Sequence, residues 1–84
     1  MKLFAGLDRT DYQDVFRAVG AWIDAQGLHE VRVWEHADGL IVQGRPGPDA
    51  EYRTVLLTDD DLSALLTETY RRRGQAIPEW LRRS

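Results

Sequence analysis

Residues 29–45, HEVRVWEHADGLIVQGR, constrain the fold more than any other stretch of the sequence. β-Branched and aromatic residues alternate with polar ones on both sides of the dipeptide Asp38-Gly39. This dipeptide tolerates the positive φ angles of a two-residue hairpin loop, and alternation with a period of two is typical of β-strands. The stretch therefore predicts two antiparallel strands joined at Asp38-Gly39, with Ala37 opposite Leu40 and Arg32 opposite Arg45.

The same alternation predicts which side chains share each face of the hairpin, because successive side chains of a strand point to opposite sides. We expect one side to face the core, and it carries Val31, Val33, Leu40 and Val42. The other side, which we call the outer face, carries Arg32, Trp34, His36, Ile41, Gln43 and Arg45.

Residues 10–27, TDYQDVFRAVGAWIDAQG, predict a helix before the hairpin. Thr10 and Gln13 have the spacing of a capping box, in which the two side chains bond to unpaired main-chain groups at the helix start. Gly27 predicts a left-handed helix end, after which Leu28 folds back on the last turn. The apolar residues recur at the spacing of one helical face: Tyr12, Val15, Phe16, Val19, Trp22 and Ile23.

The remaining sequence predicts a third strand and a second helix. Residues 45–51, RPGPDAE, have the composition of a loop, and residues 52–58, YRTVLLT, predict a strand whose inward face the pattern does not determine. Thr58 or Asp59 is the expected N-cap of the second helix, and the arginines at 71–73 suit its last turn before Gly74. Its apolar stripe consists of Leu62, Leu65, Leu66 and Tyr70.

This order of elements indicates an α+β fold with two layers, α-β-β-β-α, in which a three-stranded antiparallel meander carries both helices on one face. Eighty-four residues suffice for one domain, 1–84. We expect its core to span about residues 10–74, with an N-terminal strap at 1–9. The C-terminal basic segment at 75–84 includes Pro78, which is well placed to begin a short helical turn.

Charge and composition exclude some classes of function. The chain has no cysteine, which excludes disulfides and thiolate chemistry and fits the cytoplasm, our expected location. No apolar run is long enough to span a membrane. Residues 1–70 hold 6 basic and 13 acidic residues, a net −7, whereas residues 71–84 hold 5 and 1, a net +4. An acidic body disfavours broad nucleic-acid binding, which requires many phosphate contacts.

The predicted order of elements is similar to the topology of double-stranded-RNA-binding domains over about residues 10–74. Members of that family bind the RNA backbone largely through lysines at the start of the second helix. Here the matching positions hold Asp59, Asp60 and Asp61, which repel phosphate. The similarity is therefore one of shape, no functional residue carries over, and we assign the chain to no family on this basis.

No group of residues in the sequence forms a recognisable catalytic or metal site. Three adjacent aspartates raise the possibility of a metal cluster, but consecutive helical residues point about 100° apart, so a helix start is the better interpretation. His29 and His36 are about 23 Å apart along one strand and do not share a metal. His36 lies near Asp38 without a nucleophile in a known motif. We therefore expect no enzyme activity, no cofactor and no metal.

Aromatic residues and arginines together on a sheet surface are enriched at protein interfaces, so the outer face is the expected binding site. We expect a small interaction module that binds a protein partner, or a second copy of itself, through Arg32, Trp34, His36, Ile41, Gln43 and Arg45. Two other possibilities stay open. In the first, the outer face is covered by the N-terminal strap (Leu3, Phe4, Leu7) or by the C-terminal segment (Ile77, Trp80, Leu81). In the second, the protein binds nucleic acid through Arg32, Arg45 and the arginine-rich C-terminal segment.

Overall fold

A computed structural model describes residues 9–82, and every structural statement below concerns this part of the chain. The elements in chain order are helix α1 (Arg9–Ala25), strands β1 (His29–His36), β2 (Gly39–Arg45) and β3 (Arg53–Thr58), and helices α2 (Asp59–Arg72) and α3 (Glu79–Arg82). The strands form one antiparallel sheet in the order β1-β2-β3. The predicted α+β fold is confirmed.

Helix α1 ends as the sequence predicts but begins earlier. It starts at Arg9, so Thr10 lies inside the helix and is not its N-cap. Gly27 has a φ of +67° and donates its N–H to the Asp24 carbonyl, while Leu28 donates to the carbonyl of Ile23. These two bonds form a Schellman motif, in which a left-handed residue turns the chain back over the last helical turn. The same turn buries Leu28, which is 8% exposed.

The hairpin forms, but its loop lies one residue earlier than predicted. His36 pairs with Gly39 and Glu35 with Leu40, so the loop is Ala37-Asp38. Gly39 belongs to β2, where it also pairs with Thr58 of β3. The neighbouring strand crowds this position, since a Cβ here would lie 2.0 Å from the carbonyl oxygen of Leu57. Each pairing differs from the prediction by two residues, which leaves every side chain on its predicted face.

A β-bulge interrupts β1 near its start. The register shifts between His29 and Arg32, so that Glu30 and Val31 together lie opposite Gly44. Glu30 has a φ of 54°, which is unusual for a residue with a side chain. A side chain at Gly44 would be crowded, since a Cβ there would lie 3.1 Å from the Leu28 Cβ. Gly44 thus lies directly opposite the bulge, where β1 and Leu28 approach the main chain of β2 closely.

The core lies between the inner face of the sheet and the helices. Val42 is fully buried, and Leu57 from β3 is 4% exposed, which identifies Leu57 as an inward-facing residue of the third strand. The Tyr70 hydroxyl donates to Asp14 Oδ2 at 2.7 Å and joins α2 to α1. Both helices contribute to this one cluster: Val15, Ala18, Val19, Leu28, Leu40, Val42, Leu57, Leu62, Leu66, Tyr70 and Leu81.

Helix α2 begins with the three aspartates. The Thr58 hydroxyl accepts from the Asp61 N–H at 3.2 Å, and Asp61 Oδ2 accepts from the Thr58 N–H at 3.0 Å. This reciprocal pair is a capping box, and the three carboxylates lie in the first turn, where the helix dipole favours negative charge. The interpretation of the aspartates as a helix start is confirmed.

Candidate functional site: the outer face of the sheet

The outer face presents its side chains in rows that cross the three strands. Trp34 lies opposite Ile41, and Ile41 lies opposite Leu56 of β3, so three large apolar side chains form one row. Directly opposite residues have Cβ atoms about 4.5–5.5 Å apart, close enough for such side chains to pack together. Trp34 remains 43% exposed and Leu56 39% exposed. We call Trp34, Ile41 and Leu56 the apolar row.

The second row is polar and follows the apolar row toward the bulge. Arg32 lies opposite Gln43, which lies opposite Thr54. The Gln43 amide donates to the Thr54 hydroxyl at 3.2 Å, so these two side chains are oriented by each other. Arg32 is exposed. At the other end of the hairpin, the exposed His36 accepts the N–H of Asp38 at Nδ1, at 3.1 Å.

A charged cluster of Glu30, Arg45 and Tyr52 lies at the bulge. One Arg45 nitrogen, Nη2, lies 2.7 Å from Glu30 Oε1 and 2.6 Å from Oε2. The Tyr52 hydroxyl donates to Glu30 Oε2 at 2.7 Å, and the Arg45 guanidinium carbon lies 4.9 Å from the centre of the Tyr52 ring. The positive φ of Glu30 thus occurs where its carboxylate joins two neighbouring segments of the chain.

These contacts change the acidity of all three groups. The Arg45 guanidinium, and after it the Tyr52 hydroxyl, holds the pKa of Glu30 below its ordinary value. Glu30 in turn raises the pKa of Arg45, and its bond to the hydroxyl raises the pKa of Tyr52. Because the pKa of Glu30 is lowered on folding, the cluster's contribution to stability is present above the ordinary carboxyl pKa. That contribution is lost as the pH falls through the folded-state pKa.

We expect Tyr52→Phe to raise the pKa of Glu30, because the variant removes one of the two hydrogen bonds that favour the ionised carboxylate. The phenyl ring stays in place under Arg45, so the ion pair persists. An NMR titration of the Glu30 side-chain carboxyl measures the change. Arg45→Gln serves as the comparison and should raise the pKa further, since Arg45 is the larger cause. An unchanged Glu30 pKa in Tyr52→Phe would contradict the hydroxyl contact.

Ile77 and Leu81, two of the three residues of the C-terminal segment expected to cover the outer face, lie on the other side of the sheet. Leu81 is 5% exposed within the core cluster, and Ile77 packs against the same cluster, on the helical side of the sheet. A helical turn follows Pro78, as the sequence predicts. The side chain of Trp80 lies outside the described residues. So do Leu3, Phe4 and Leu7 of the N-terminal strap, whose role as a cover stays a prediction.

The six residues expected from the sequence all lie on the outer face, but not all are equally available. Trp34 and Arg32 are exposed, Ile41 and Gln43 are half-buried, and Arg45 is committed to Glu30. Sequence reasoning missed Leu56, because the third strand has too weak an alternation to reveal its faces. It also missed Tyr52 and Glu30, whose contact depends on a bulge that no local pattern announces.

The described part of the chain was also searched for metal sites, cavities and membrane-spanning helices. Within residues 9–82, no group of three or more histidine, aspartate or glutamate side chains is arranged to hold a metal ion. An open groove of about 360 Å³ lies between β3 and α2, and Trp22, Val55 and Leu65 line its apolar part. No helix in the described part of the chain is both long and apolar enough to cross a membrane.

Comparison with protein-family models, curated proteins and solved structures finds no match for this chain.

Proposed function

We propose that this protein is a small non-catalytic interaction module, which binds a protein partner or a second copy of itself through the outer face of its sheet. The supporting observation is the apolar row. Trp34 and Leu56 stay exposed on this face, whereas the opposite face of β2 and β3 contributes Leu40, Val42 and Leu57 to the core. Tryptophan and arginine, which lie near each other here, are both enriched among the residues that dominate binding energy at interfaces.

The second row and the charged cluster fit a role in specificity. Gln43 and Thr54 hold each other in a fixed orientation, and Glu30 and Tyr52 hold Arg45. Polar side chains that are already ordered lose little conformational entropy when a partner binds. An apolar centre with an oriented polar border is the usual anatomy of a protein interface.

Nucleic-acid binding through Arg32, Arg45 and the C-terminal arginines is the weaker alternative. Arg45 is neutralised by Glu30 at hydrogen-bond distance, so it offers phosphate much less attraction than a free guanidinium. Arg72 is likewise paired, with Glu68 at 3.1 Å. We propose the cytoplasm as the compartment, on the ground that the chain contains no cysteine.

We expect Trp34→Glu to abolish partner binding without unfolding the protein, since the side chain is exposed and contributes nothing to the buried cluster. The test is capture from the native cell with a tagged chain, with an untagged copy of the chain counted among the possible partners. Truncating a central interface tryptophan commonly weakens binding by about 30-fold or more.

Phe16→Glu is the matched control, because Phe16 is a 56% exposed aromatic residue on α1, away from the outer face. Proteins recovered with the wild-type chain and with Phe16→Glu, but lost with Trp34→Glu, support the proposal. Identical recovery with all three chains would show that the outer face is not the binding surface. Circular dichroism and thermal melting confirm that each variant is folded.

A further inference from the structure

The apolar row is too small to hold a partner by itself. A fully accessible tryptophan exposes roughly 250 Å², so the 43% exposure of Trp34 leaves on the order of 100 Å². Even with Ile41 and Leu56 beside it, the row offers far less than the roughly 800 Å² that each partner buries in a stable protein interface. A partner must therefore contact more of the chain than this row.

Strand β1, which carries Trp34, provides the largest exposed surface next to the apolar row. It forms one edge of the described sheet, and seven of its eight residues are exposed. Val33 lies on the inner side yet is 39% exposed, whereas Val42 directly opposite it is fully buried. The helical layer thus covers β2, whereas β1 packs on the core only at Val31 and is open on both faces at residues 32–36, within the described part of the chain. The other edge strand, β3, has its inner side covered at Leu57.

The hairpin geometry determines which main-chain groups of β1 point to the edge. His36 and Gly39 close a two-residue loop, so they are a hydrogen-bonded pair of the ladder. Such pairs recur at every second residue, so Trp34 and Arg32 also direct their N–H and C=O groups toward β2. Val33 lies between them and directs its N–H and C=O groups away from β2, toward the edge.

The sequence of β1 is complementary to itself in one register. A two-fold axis brings residues of the same face together, so the pairing of two β1 strands is centred on a single residue. A centre at Arg32 or Glu35 puts identical charges opposite each other, and a centre at Trp34 puts the two basic residues Arg32 and His36 opposite each other. A centre at Val33 puts Val33 against Val33 and Arg32 against Trp34, where a guanidinium over an indole is attractive.

We propose that two copies of the chain form a closed homodimer by antiparallel pairing of β1 with β1, centred on Val33. Each Val33 donates its N–H to the Val33 carbonyl of the other copy, and each Trp34 packs against Arg32 of the other copy. The two sheets become one six-stranded sheet with a continuous outer face. Each copy offers a single β1, so association ends at two copies. The dimer rests on the proposed function, since it identifies the second copy as the partner.

Val33→Pro tests the main-chain pairing. Proline has no N–H, so the variant loses the donor at the centre of the interface but keeps the hydrogen bonds between β1 and β2. In sedimentation velocity over a concentration series, we expect the wild-type chain to show a monomer–dimer equilibrium. We expect Val33→Pro to raise the dissociation constant by about tenfold or more. Val33→Ile keeps the N–H and a β-branched side chain, and it should associate as the wild type does.

Single-cysteine variants test the register, because the natural chain has no cysteine to compete. Residues paired across the proposed axis have Cα atoms about 5.5 Å apart, which is within disulfide range. Under mild oxidation, we expect Val33→Cys to form a covalent dimer faster than Arg32→Cys or Trp34→Cys. Faster crosslinking at 32 or 34 would contradict the centre at Val33.

The outcomes separate the dimer from the proposed function. A wild-type chain that stays monomeric at every concentration overturns the dimer. In that case, a different protein that co-purifies with the wild-type chain but not with Trp34→Glu would keep the outer face as the binding surface. Only the identity of the partner would then be wrong. If Trp34→Glu loses nothing, both proposals fail. A dimer that Val33→Pro does not weaken overturns the β1 pairing.

Discussion

Gly39→Ala is expected to destabilise the fold by more than about 3 kcal/mol, a large share of the roughly 4–13 kcal/mol typical of a domain of this size. The added Cβ would lie 2.0 Å from the Leu57 carbonyl oxygen and 2.9 Å from the Thr58 Cα. Both are main-chain atoms, so no side-chain rotation relieves the overlap. Relief requires β2 and β3 to separate where the sheet meets the start of α2.

Gly20→Ala is the matched control for this prediction. Gly20 lies within α1, and a Cβ there meets no atom within 4 Å. Alanine in a helix interior is about 0.5–1 kcal/mol more favourable than glycine, so the same substitution should stabilise the protein at residue 20. Urea unfolding of both variants measures the two free energies. A cost at Gly39 below about 1 kcal/mol would contradict the close approach of β3.

Gly39 also shows where sequence reasoning succeeds and where it fails. The faces of the hairpin were predicted correctly, because a period of two is a local property of the chain. The register was wrong by two residues, because it depends on β3, which is distant in sequence. Asp38-Gly39 suits a two-residue loop, but Gly39 pairs within the sheet, where only a glycine fits beside the main chain of Leu57.

The helix ends divide in the same way. Thr58 is the N-cap of α2, one of the two residues expected from the sequence, and Gly27 and Leu28 form the expected left-handed end of α1. The capping box expected at Thr10 and Gln13 was wrong, because α1 includes Arg9 and Thr10. Side chains that meet through the tertiary fold were not predictable. The ion pair of Glu30 with Arg45 is an example, since it requires a bulge that shifts β1 by one residue.

This division bears directly on the candidate site. Trp34 and Ile41 share a face by alternation alone, so the sequence suffices to place them together. Leu56 lies next to Ile41 only because β2 pairs with β3, so the third member of the apolar row depends on the tertiary fold. Tyr52 likewise lies close to Arg45, whose charge Glu30 neutralises across the bulge, and a basic group that the sequence left available for nucleic acid is thereby removed.

Leu66→Ala is expected to destabilise the protein by about 2–5 kcal/mol, because it removes a fully buried side chain from a packed core. Leu66 is 1% exposed and lies in the cluster that joins α2 to α1 and to the sheet. The removed atoms leave a cavity that the surrounding backbone of two helices and a sheet fills only in part. Thermal and urea unfolding measure the loss.

Leu65→Ala is the comparison, since it makes the same change one residue earlier on the same helix. Leu65 is half-buried and lines the open groove beside β3, so water replaces the lost atoms and we expect a cost below about 1.5 kcal/mol. Equal costs for the two variants would contradict the placement of Leu66 in the core. The folded fraction of Leu66→Ala should bind partners as the wild type does, because its substitution lies on the opposite side of the sheet from Trp34. We thus expect Leu66→Ala to lose stability and keep binding, and Trp34→Glu to lose binding and keep stability. That result would show that the buried core and the binding surface are separate parts of the protein.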